Sequence, residues 1–261
     1  RHSVADPERR PLGVVLVAQD ITQEQRLMGT LCRYVTREVA EQILQNKDSL
    51  KLGGSKREVT VLFSDIRGFT TISEIYSAEE IVQLLNEYFT RMVNVIFKHE
   101  GTLDKFIGDA IMAVFGAPIV HDDDPVRAVR SAIEMRKELF RYNEERIARG
   151  ELAIETGIGI CHGEALSGNI GSDMRMDYTV IGDAVNVASR LEGLTKTYDC
   201  KILFSESVYE DVKDVIPCID LGYDKVKGRG AAVRLYGVPE SVILAEHAAD
   251  SADRATPSPV P

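Results

Sequence analysis

Two aspartates follow apolar, strand-like segments, at positions where carboxylates can bind metal ions. Asp65 lies at the end of the first predicted strand, after the segment 58–63, and Asp109 lies in a Gly-Asp turn between two short apolar segments. In a βαββ unit the end of the first strand can neighbour the following hairpin, so we expect these carboxylates to meet. They would suit one or two hard divalent cations, with phosphate oxygens completing the ligand shell. On spacing alone, a turn role for Asp109 and a capping role for Asp65 stay open.

Two further segments carry groups that suit a phosphorylated ligand. Asn186 and Arg190 are four residues apart on a predicted helix and therefore share one face. A guanidinium matches phosphate oxygens, and an amide suits a ribose or phosphate contact. A solvated helix face is the alternative, although Asn is a poor interior helix residue. Lys227 lies in the segment 225–230, where glycines flank cations, and this segment suits either a polyphosphate or an ordinary charged loop.

The elements that must position these residues follow the order strand, helix, hairpin, helix, strand. Ser77 with Glu80 forms a capping box that predicts the start of a long helix, and Gly108 with Asp109 predicts a hairpin turn. Strands are predicted over 58–63, 103–107, 110–115, 153–161, 165–170, 178–181, 201–204 and 233–238, and further helices from 124 and 183. This order predicts an α+β fold, a ferredoxin-like βαββαβ domain with additional strands and helices on one face of an antiparallel-rich sheet.

Composition excludes several classes of function. The net charge of −10 argues against a nucleic-acid-binding face, so a polyphosphate ligand would need local cations or bound metal. No apolar run approaches the ~20 residues that a transmembrane helix needs, and no signal-peptide pattern is present. The four cysteines are widely spaced and lack metal-ligand spacing, which predicts reduced thiols and a cytoplasmic location.

Shorter segments are expected to flank the main domain. Residues 1–22 hold an apolar strand that ends in Gln-Asp-Ile-Thr and resembles the end of a PAS sensor domain; an edge strand or a leader is an equal alternative. Residues 23–56 are a predicted helical signalling linker, because apolar residues recur every four positions from Leu27 to Ile43. That stripe suits packing on its own domain or a short coiled coil with a second copy. Residues 241–261 are a predicted disordered tail.

Four segments, taken together, resemble the class III nucleotide cyclases, the family of adenylate and guanylate cyclase catalytic domains. In chain order they are VLFSDIRGFT, LDKFIGDAIMAVFG, DYTVIGDAVNVASRLE and KVKGRG. The resemblance covers residues 57–238, and chance agreement in all four segments is negligible. It implies that residues 57–240 form a cyclase catalytic domain that converts ATP to 3′,5′-cyclic AMP and pyrophosphate.

The resemblance also implies which residues bind metal and phosphate. Asp65, Asp109 and the backbone carbonyl of Ile66 match the metal-binding positions for two divalent cations, Mg²⁺ or Mn²⁺, which oxygen ligands alone do not distinguish. A second set matches the positions that contact ribose and phosphates. It comprises Asn186 toward the ribose, Arg190 at the transition state, Lys227 toward the triphosphate, and the backbone amides of Arg67, Gly68 and Phe69 near the β- and γ-phosphates.

Lys105 and Thr179 match the family positions that read the base. Lys105 can donate to a ring nitrogen of adenine, and the Thr179 hydroxyl can accept from the adenine amino group. The guanylate cyclases of the family carry Glu and Cys there, so Lys105 with Thr179 favours ATP, with GTP as the alternative substrate. Thr in place of the commoner Asp resembles subclass IIIb, some of whose members respond to bicarbonate. Thr can also donate, so it excludes guanine less firmly than a carboxylate.

In the resembled family each active site lies at a dimer interface. One chain supplies the metal-binding aspartates, and the other supplies the Lys, Thr, Asn and Arg. This chain carries both sets, which implies a homodimer with two equivalent sites. The resemblance further implies that an N-terminal sensor in a longer protein regulates the site through the 23–46 helix. A non-catalytic regulatory dimer and a diguanylate cyclase or polymerase palm are the rival interpretations; the first predicts missing site residues, and the second lacks the Asn186 and Arg190 pattern.

Overall fold

The structure, a computed structural model, describes residues 2–5, 11–15, 52–172, 174–224 and 232–255. The chain divides into two compact units, Arg1–Gln45 and Asn46–Pro261. In the first unit, β1 (His2–Ala5) and β2 (Pro11–Val15) pair antiparallel, where the sequence predicted one strand. The partner strand supplies the ladder hydrogen bonds that a single strand lacks. The predicted signalling helix lies outside the described residues.

Strands and helices alternate along the second unit. Its strands are β3 (Gly53–Ile66), β4 (Thr102–Ile107), β5 (Ala110–Phe115), β6 (Thr156–Ser172), β7 (Arg175–Ile181), β8 (Ile202–Ser205), β9 (Ile219–Asp224) and β10 (Val233–Gly237). Its helices are α1 (Phe69–Ile75), α2 (Ala78–Lys98), α3 (Asp124–Ala148), α4 (Asp183–Leu194), α5 (Glu206–Val212) and α6 (Glu240–Ala255). The predicted capping box at the start of α2 is present, since the Ser77 hydroxyl accepts from the Glu80 amide and the Glu80 carboxylate accepts from the Ser77 amide.

The eight strands of this unit form one mixed sheet in the order β4-β5-β3-β6-β8-β10-β9, with β7 paired to β6. Every pairing is antiparallel except that of β6 with β8. The α+β fold class and the antiparallel-rich sheet are therefore confirmed. β3 lies between β5 and β6, and both of its faces are buried from Val59 onward. That burial explains its continuous apolar run, because a strand covered on both sides loses the alternation of polar and apolar residues.

Helices cover both faces of the sheet, and the prediction of a single helical face is wrong. Apolar residues of α2, α3, α5 and α6 pack with Leu62 and Ile66 on one face. On the opposite face, α4 buries Ala184, Val187, Ala188 and Leu191 against Val61 and Phe63. The second face accepts a helix because β6 carries glycines beneath α4. A Cβ added at Gly159 would lie 2.2 Å from both the Ala188 carbonyl oxygen and the Glu192 nitrogen.

Several boundaries differ from the sequence prediction. β3 begins at Gly53, so residues 53–56 belong to the sheet and not to the predicted linker. β6 is one strand of 17 residues, where the sequence predicted two separated by His162 to Glu164. It stays continuous because β3 pairs along nearly its whole length. Helices α1 and α5 and strand β9 were not predicted, since each is short and lacks a periodic apolar pattern.

The predicted disordered tail is wrong for residues 241–255, because α6 runs from Glu240 to Ala255. Ile243 is fully buried against the helical layer. Acidic residues of α6 also meet the basic residues of α3: Glu246 and Asp250 lie within salt-bridge distance of Lys137. These tertiary contacts stabilise a segment whose composition alone suggested disorder.

Two predictions drawn from composition concern membrane-spanning helices and cysteines. Each helix of this part of the chain is too short or too polar to cross a lipid bilayer. The described cysteines, Cys161, Cys200 and Cys218, are thiols and do not form disulfides with one another. Cys32 lies outside the described residues.

The glycine contact beneath α4 yields a stability prediction. Gly159→Ala should destabilise the domain by about 1–3 kcal/mol, because the added methyl meets helix backbone that has no side chain to move aside. Gly193→Ala is the matched control: nothing lies within 4 Å of its added Cβ, and Ala favours the helix by about 0.5–1 kcal/mol. Urea unfolding of both variants checks this, and equal midpoints would contradict it.

Candidate active site

The carboxyl groups of Asp65 and Asp109 meet at one end of the sheet. Antiparallel pairing places Ser64 opposite Ile111, so the end of β3 lies beside the turn that joins β4 to β5. Gly108 provides the left-handed conformation of this turn, with φ of 64°. Asp109 lies within hydrogen-bond reach of Asp65, and one of its carboxylate oxygens is buried without a partner. The expected meeting of the two aspartates is therefore confirmed.

This carboxylate pair fits a divalent cation. Burial and the adjacent negative charge of Asp109 raise the pKa of Asp65 to about 6, and Lys196 opposes this shift. Crowded carboxylates with an unsatisfied oxygen are hard ligands that a cation would neutralise. The described residues contain no cluster of three or more His, Cys, Asp or Glu side chains that could hold a metal. A cation here would therefore depend on Asp65, Asp109, backbone oxygens such as that of Ile66, water and substrate.

Helix α4 has one side buried against the sheet and one side that faces outward. Asn186 is exposed and Arg190 is half-buried on the side of the helix that turns away from the buried stripe of Ala184, Val187, Ala188 and Leu191. Neither side chain makes a hydrogen bond or ion pair within the described part of the chain. The predicted common face of Asn186 and Arg190 is present, and both are available to a ligand or a second surface.

Glu192 near the end of α4, and Lys196 just after the helix, lie close to the carboxylate pair of their own chain. A Cβ added at Gly157 would lie 3.0 Å from a Glu192 carboxylate oxygen, and Gly157 pairs with Asp65 across the sheet. Burial, and secondly the charge of Asp65, raise the pKa of Glu192 to about 7. Lys196 lowers the pKa of both Glu192 and Asp65. Sequence reasoning missed Glu192 and Lys196, because single charged residues on or just after an amphipathic helix have no distinguishing pattern.

The segment after Asp65 supplies backbone donors, with one exception among those predicted. The Arg67 amide donates to the Glu155 carbonyl oxygen at 2.7 Å, so this donor already has a partner in the structure, and its place near the phosphates stays a prediction. Two nitrogens of its guanidinium are buried without a partner. Gly68 and Phe69 begin α1, where first-turn amides lack intrahelical partners. Lys227 lies outside the described residues.

Lys105 and Thr179 approach each other through Asp104. The Thr179 hydroxyl donates to the Asp104 carboxylate at 2.7 and 3.0 Å, and Lys105 Nζ lies 3.2 Å from the same group. Thr179 and Lys105 make this contact although they lie at very different levels along the strands of the sheet. Thr179 is level with Gly54 of β3, whereas Lys105 is level with Phe63, a separation of roughly 30 Å along a flat sheet. The β3–β6 ribbon must therefore curve strongly, and sequence reasoning missed both the curvature and Asp104.

Glycines permit this curvature. A Cβ added at Gly168 would lie 2.2 Å from the Gly53 carbonyl oxygen and 2.4 Å from the Gly54 Cα. Two backbones can approach this closely only where neither strand carries a side chain. The glycines near the far end of the ribbon thus help to bring Thr179 on β7 to Asp104 on β4.

The fold and the site together define a nucleotide cyclase catalytic domain. The chain matches the Adenylate and Guanylate cyclase catalytic domain family over residues 53–238, and it belongs to that family. It is 42% identical over 203 residues to an adenylate cyclase of Anabaena cylindrica, covering 74% of this chain and 39% of that protein. The chain spans about a third of the length of the curated relatives it matches.

Solved structures of the same fold include cyclases that are named for different nucleotides. The adenylyl cyclase CyaB from P. aeruginosa is 42% identical, with a TM-score of 0.68, covering 72% of this chain and 96% of that chain. The guanylyl cyclase Cya2 is 38% identical, with a TM-score of 0.65, over the same shares of the two chains. The similarity therefore supports a cyclase and leaves the choice of base to the residues of the site.

The raised pKa of Asp65 yields a pH-dependent prediction for the metal-free protein. The folded pKa of about 6 lies above the usual value, so the folded state loses stability as pH rises from about 4 through 6. Asp65→Asn should therefore stabilise the metal-free chain at pH 7.5 by about 1 kcal/mol, after allowing for solvent screening of a half-buried group, and not at pH 4.

Urea unfolding in EDTA at the two pH values measures this effect. Asp122→Asn, at an exposed carboxylate, is the matched control and should change little at either pH. An Asp65→Asn gain that is equal at pH 4 and pH 7.5 would show that the carboxylate pair is not under electrostatic strain.

Proposed function

We propose that this chain is the catalytic domain of an adenylate cyclase that converts ATP to 3′,5′-cyclic AMP and pyrophosphate. The observation that carries the proposal is the half-buried Asp65 and Asp109 pair at the joined ends of β3 and the β4–β5 turn. A carboxylate pair of this kind suits Mg²⁺ or Mn²⁺ bound together with a polyphosphate. Membership of the cyclase family supports the reaction class.

Each residue would have a distinct part in the reaction. Asp65, Asp109 and the Ile66 carbonyl would hold two divalent cations, which when bound would lower the pKa of the ribose 3′-hydroxyl and balance the charge of the phosphates. Asn186 would orient the ribose for in-line attack of the 3′-hydroxyl on the α-phosphorus. Arg190 would stabilise charge that gathers on the α-phosphate, a contact typically worth on the order of 3–4 kcal/mol. The leaving pyrophosphate would be contacted by Lys227, Gly68 and Phe69.

The base-reading residues favour ATP over GTP. Lys105 and Thr179 approach each other in the structure, as two groups that read one base edge must. A lysine donor suits an acceptor nitrogen of adenine, and a threonine oxygen suits its amino group. Guanine presents a carbonyl at the position of that amino group. Guanylate cyclase activity is the alternative, because the solved relatives include a protein named as a guanylyl cyclase.

A homodimer would complete the site. Asn186 and Arg190 lie on the outward side of α4, whereas Glu192 of the same helix approaches the chain's own carboxylate pair. One copy would thus supply Asp65 and Asp109, and a second copy would supply Lys105, Thr179, Asn186 and Arg190. Regulation by an upstream sensor, a response to bicarbonate and a cytoplasmic location stay predictions from the sequence.

Product analysis of the purified chain tests the activity. With ATP and Mn²⁺ we expect 3′,5′-cyclic AMP and pyrophosphate, and with ATP and GTP in competition we expect the adenine product to dominate. Asp65→Ala should lower turnover at least about a hundredfold, because one of the two carboxylates that would hold the cations is lost. Asp122→Ala, at an exposed carboxylate, should leave turnover unchanged. Cyclic GMP as the dominant product would support the alternative function.

Mixing two inactive variants tests the shared site. Asp65→Ala and Arg190→Ala should each be inactive alone, whereas unfolding and refolding them together should form heterodimers with one intact site. Random pairing gives half heterodimers, so activity should return to about a quarter of the wild-type value. No recovery in a mixture that cross-linking shows to contain heterodimers would place all of the catalytic groups within one chain.

A further inference from the structure

Asp104 is an extra residue in the ladder between β4 and β5. Leu103 pairs with Ala113 and Lys105 pairs with Met112, so two residues of β4 oppose one of β5. This arrangement is a β-bulge. Neighbouring residues of a regular strand point to opposite faces, whereas a bulge lets two consecutive side chains point to the same side. The 3.2 Å contact between Lys105 Nζ and the Asp104 carboxylate follows from that geometry.

The Asp104 carboxylate is surrounded by donors. Only 2% of its side chain is exposed. Both of its oxygens accept from the Thr179 hydroxyl, and Lys105 Nζ lies 3.2 Å from one of them. An ionised carboxylate accepts hydrogen bonds and donates none. Burial raises the pKa of Asp104, whereas the Thr179 hydroxyl and the Lys105 charge favour the ionised form, in which the group only accepts.

The hydrogen bond from Thr179 to Asp104 therefore determines whether the Thr179 hydroxyl can donate to a ligand or only accept from it. A hydroxyl has one hydrogen and two acceptor lone pairs. Since Asp104 takes the hydrogen, only lone pairs remain for a ligand. We propose that Asp104 is a specificity-determining positioning residue, which holds the Thr179 hydroxyl as an acceptor and thereby rejects guanine. This inference rests on the proposed function, in which Thr179 reads the substituent at position 6 of the purine.

The chemistry of the two bases explains the selectivity. Adenine carries an amino group at position 6, which can donate to the Thr179 oxygen. Guanine carries a carbonyl oxygen there, which would face the lone pairs of Thr179 without a hydrogen between them. A threonine that rotated freely would donate to that carbonyl and accept guanine. Asp104 removes this freedom, so a residue type that can both donate and accept is limited to one role.

The ratio of kcat/KM for ATP to that for GTP measures this role, with the inhibition constant of GTP as a second readout. Asp104→Asn should lower the preference for ATP about tenfold, because an amide can donate to Thr179 and release its hydrogen toward guanine. Asp104→Ser, which also lacks the charge, should shift the ratio in the same direction and serves if the first variant does not fold. An unchanged ratio in folded variants would overturn the inference.

A threonine replacement separates this role from a general effect on Lys105 or on packing. Thr179→Val has no hydroxyl to orient, so adding Asp104→Asn to it should change the ratio less than about twofold. An equal tenfold change in that background would overturn the inference, because Asp104 would then act through another group. If the wild-type chain makes no cyclic nucleotide, the proposed function fails; if it makes cyclic AMP but the ratio does not move, only the role of Asp104 fails.

A gain of activity provides an independent check. Thr179→Asp would place a second carboxylate against Asp104, and the repulsion should reduce ATP turnover at least about tenfold. Adding Asp104→Asn should restore much of that activity, because the amide can donate to the new carboxylate and hold it as an acceptor. A double variant as impaired as Thr179→Asp alone would contradict a role for Asp104 in orienting this position.

Discussion

Repulsion between two half-buried carboxylates is the constraint around which this domain is arranged. Asp65 and Asp109 are in contact because β3 and β5 pair in one register, which places the end of β3 beside the β4–β5 turn. Repulsion of this kind costs the folded state stability unless a cation neutralises it. The strand that lies between β5 and β6 in the sheet therefore also holds one of two like charges in place.

Helix α4 connects this region to the outer surface. Its backbone lies so close to Gly159 that no side chain fits between helix and strand, which fixes the height of the helix above the sheet. Its buried stripe then directs Glu192 toward the chain's own carboxylates and leaves Asn186 and Arg190 outside. In the proposed dimer, one rigid helix would contact two active sites, so a displacement of α4 would affect both of them.

Local patterns predicted the elements that carry the chemistry. The apolar run of β3, the capping box of α2 and the Gly-Asp turn each have a short-range physical cause, and each is present. The remainder depends on contacts between distant segments. α6 folds because α3 offers buried surface and opposite charges, and β6 stays continuous because β3 pairs along it. Asp104 gave no signal in the sequence, since its role arises only where the curved ribbon brings Thr179 to it.

The bulge at Asp104 has an evolutionary consequence. Leu103 and Lys105 keep their β5 partners on either side of it, so Asp104 is an inserted residue within a ladder whose register is otherwise regular. Loss of a single codon would remove this carboxylate and leave its neighbours in register. Related chains could therefore differ in nucleotide choice by one insertion or deletion, a change that a comparison limited to substituted positions would overlook.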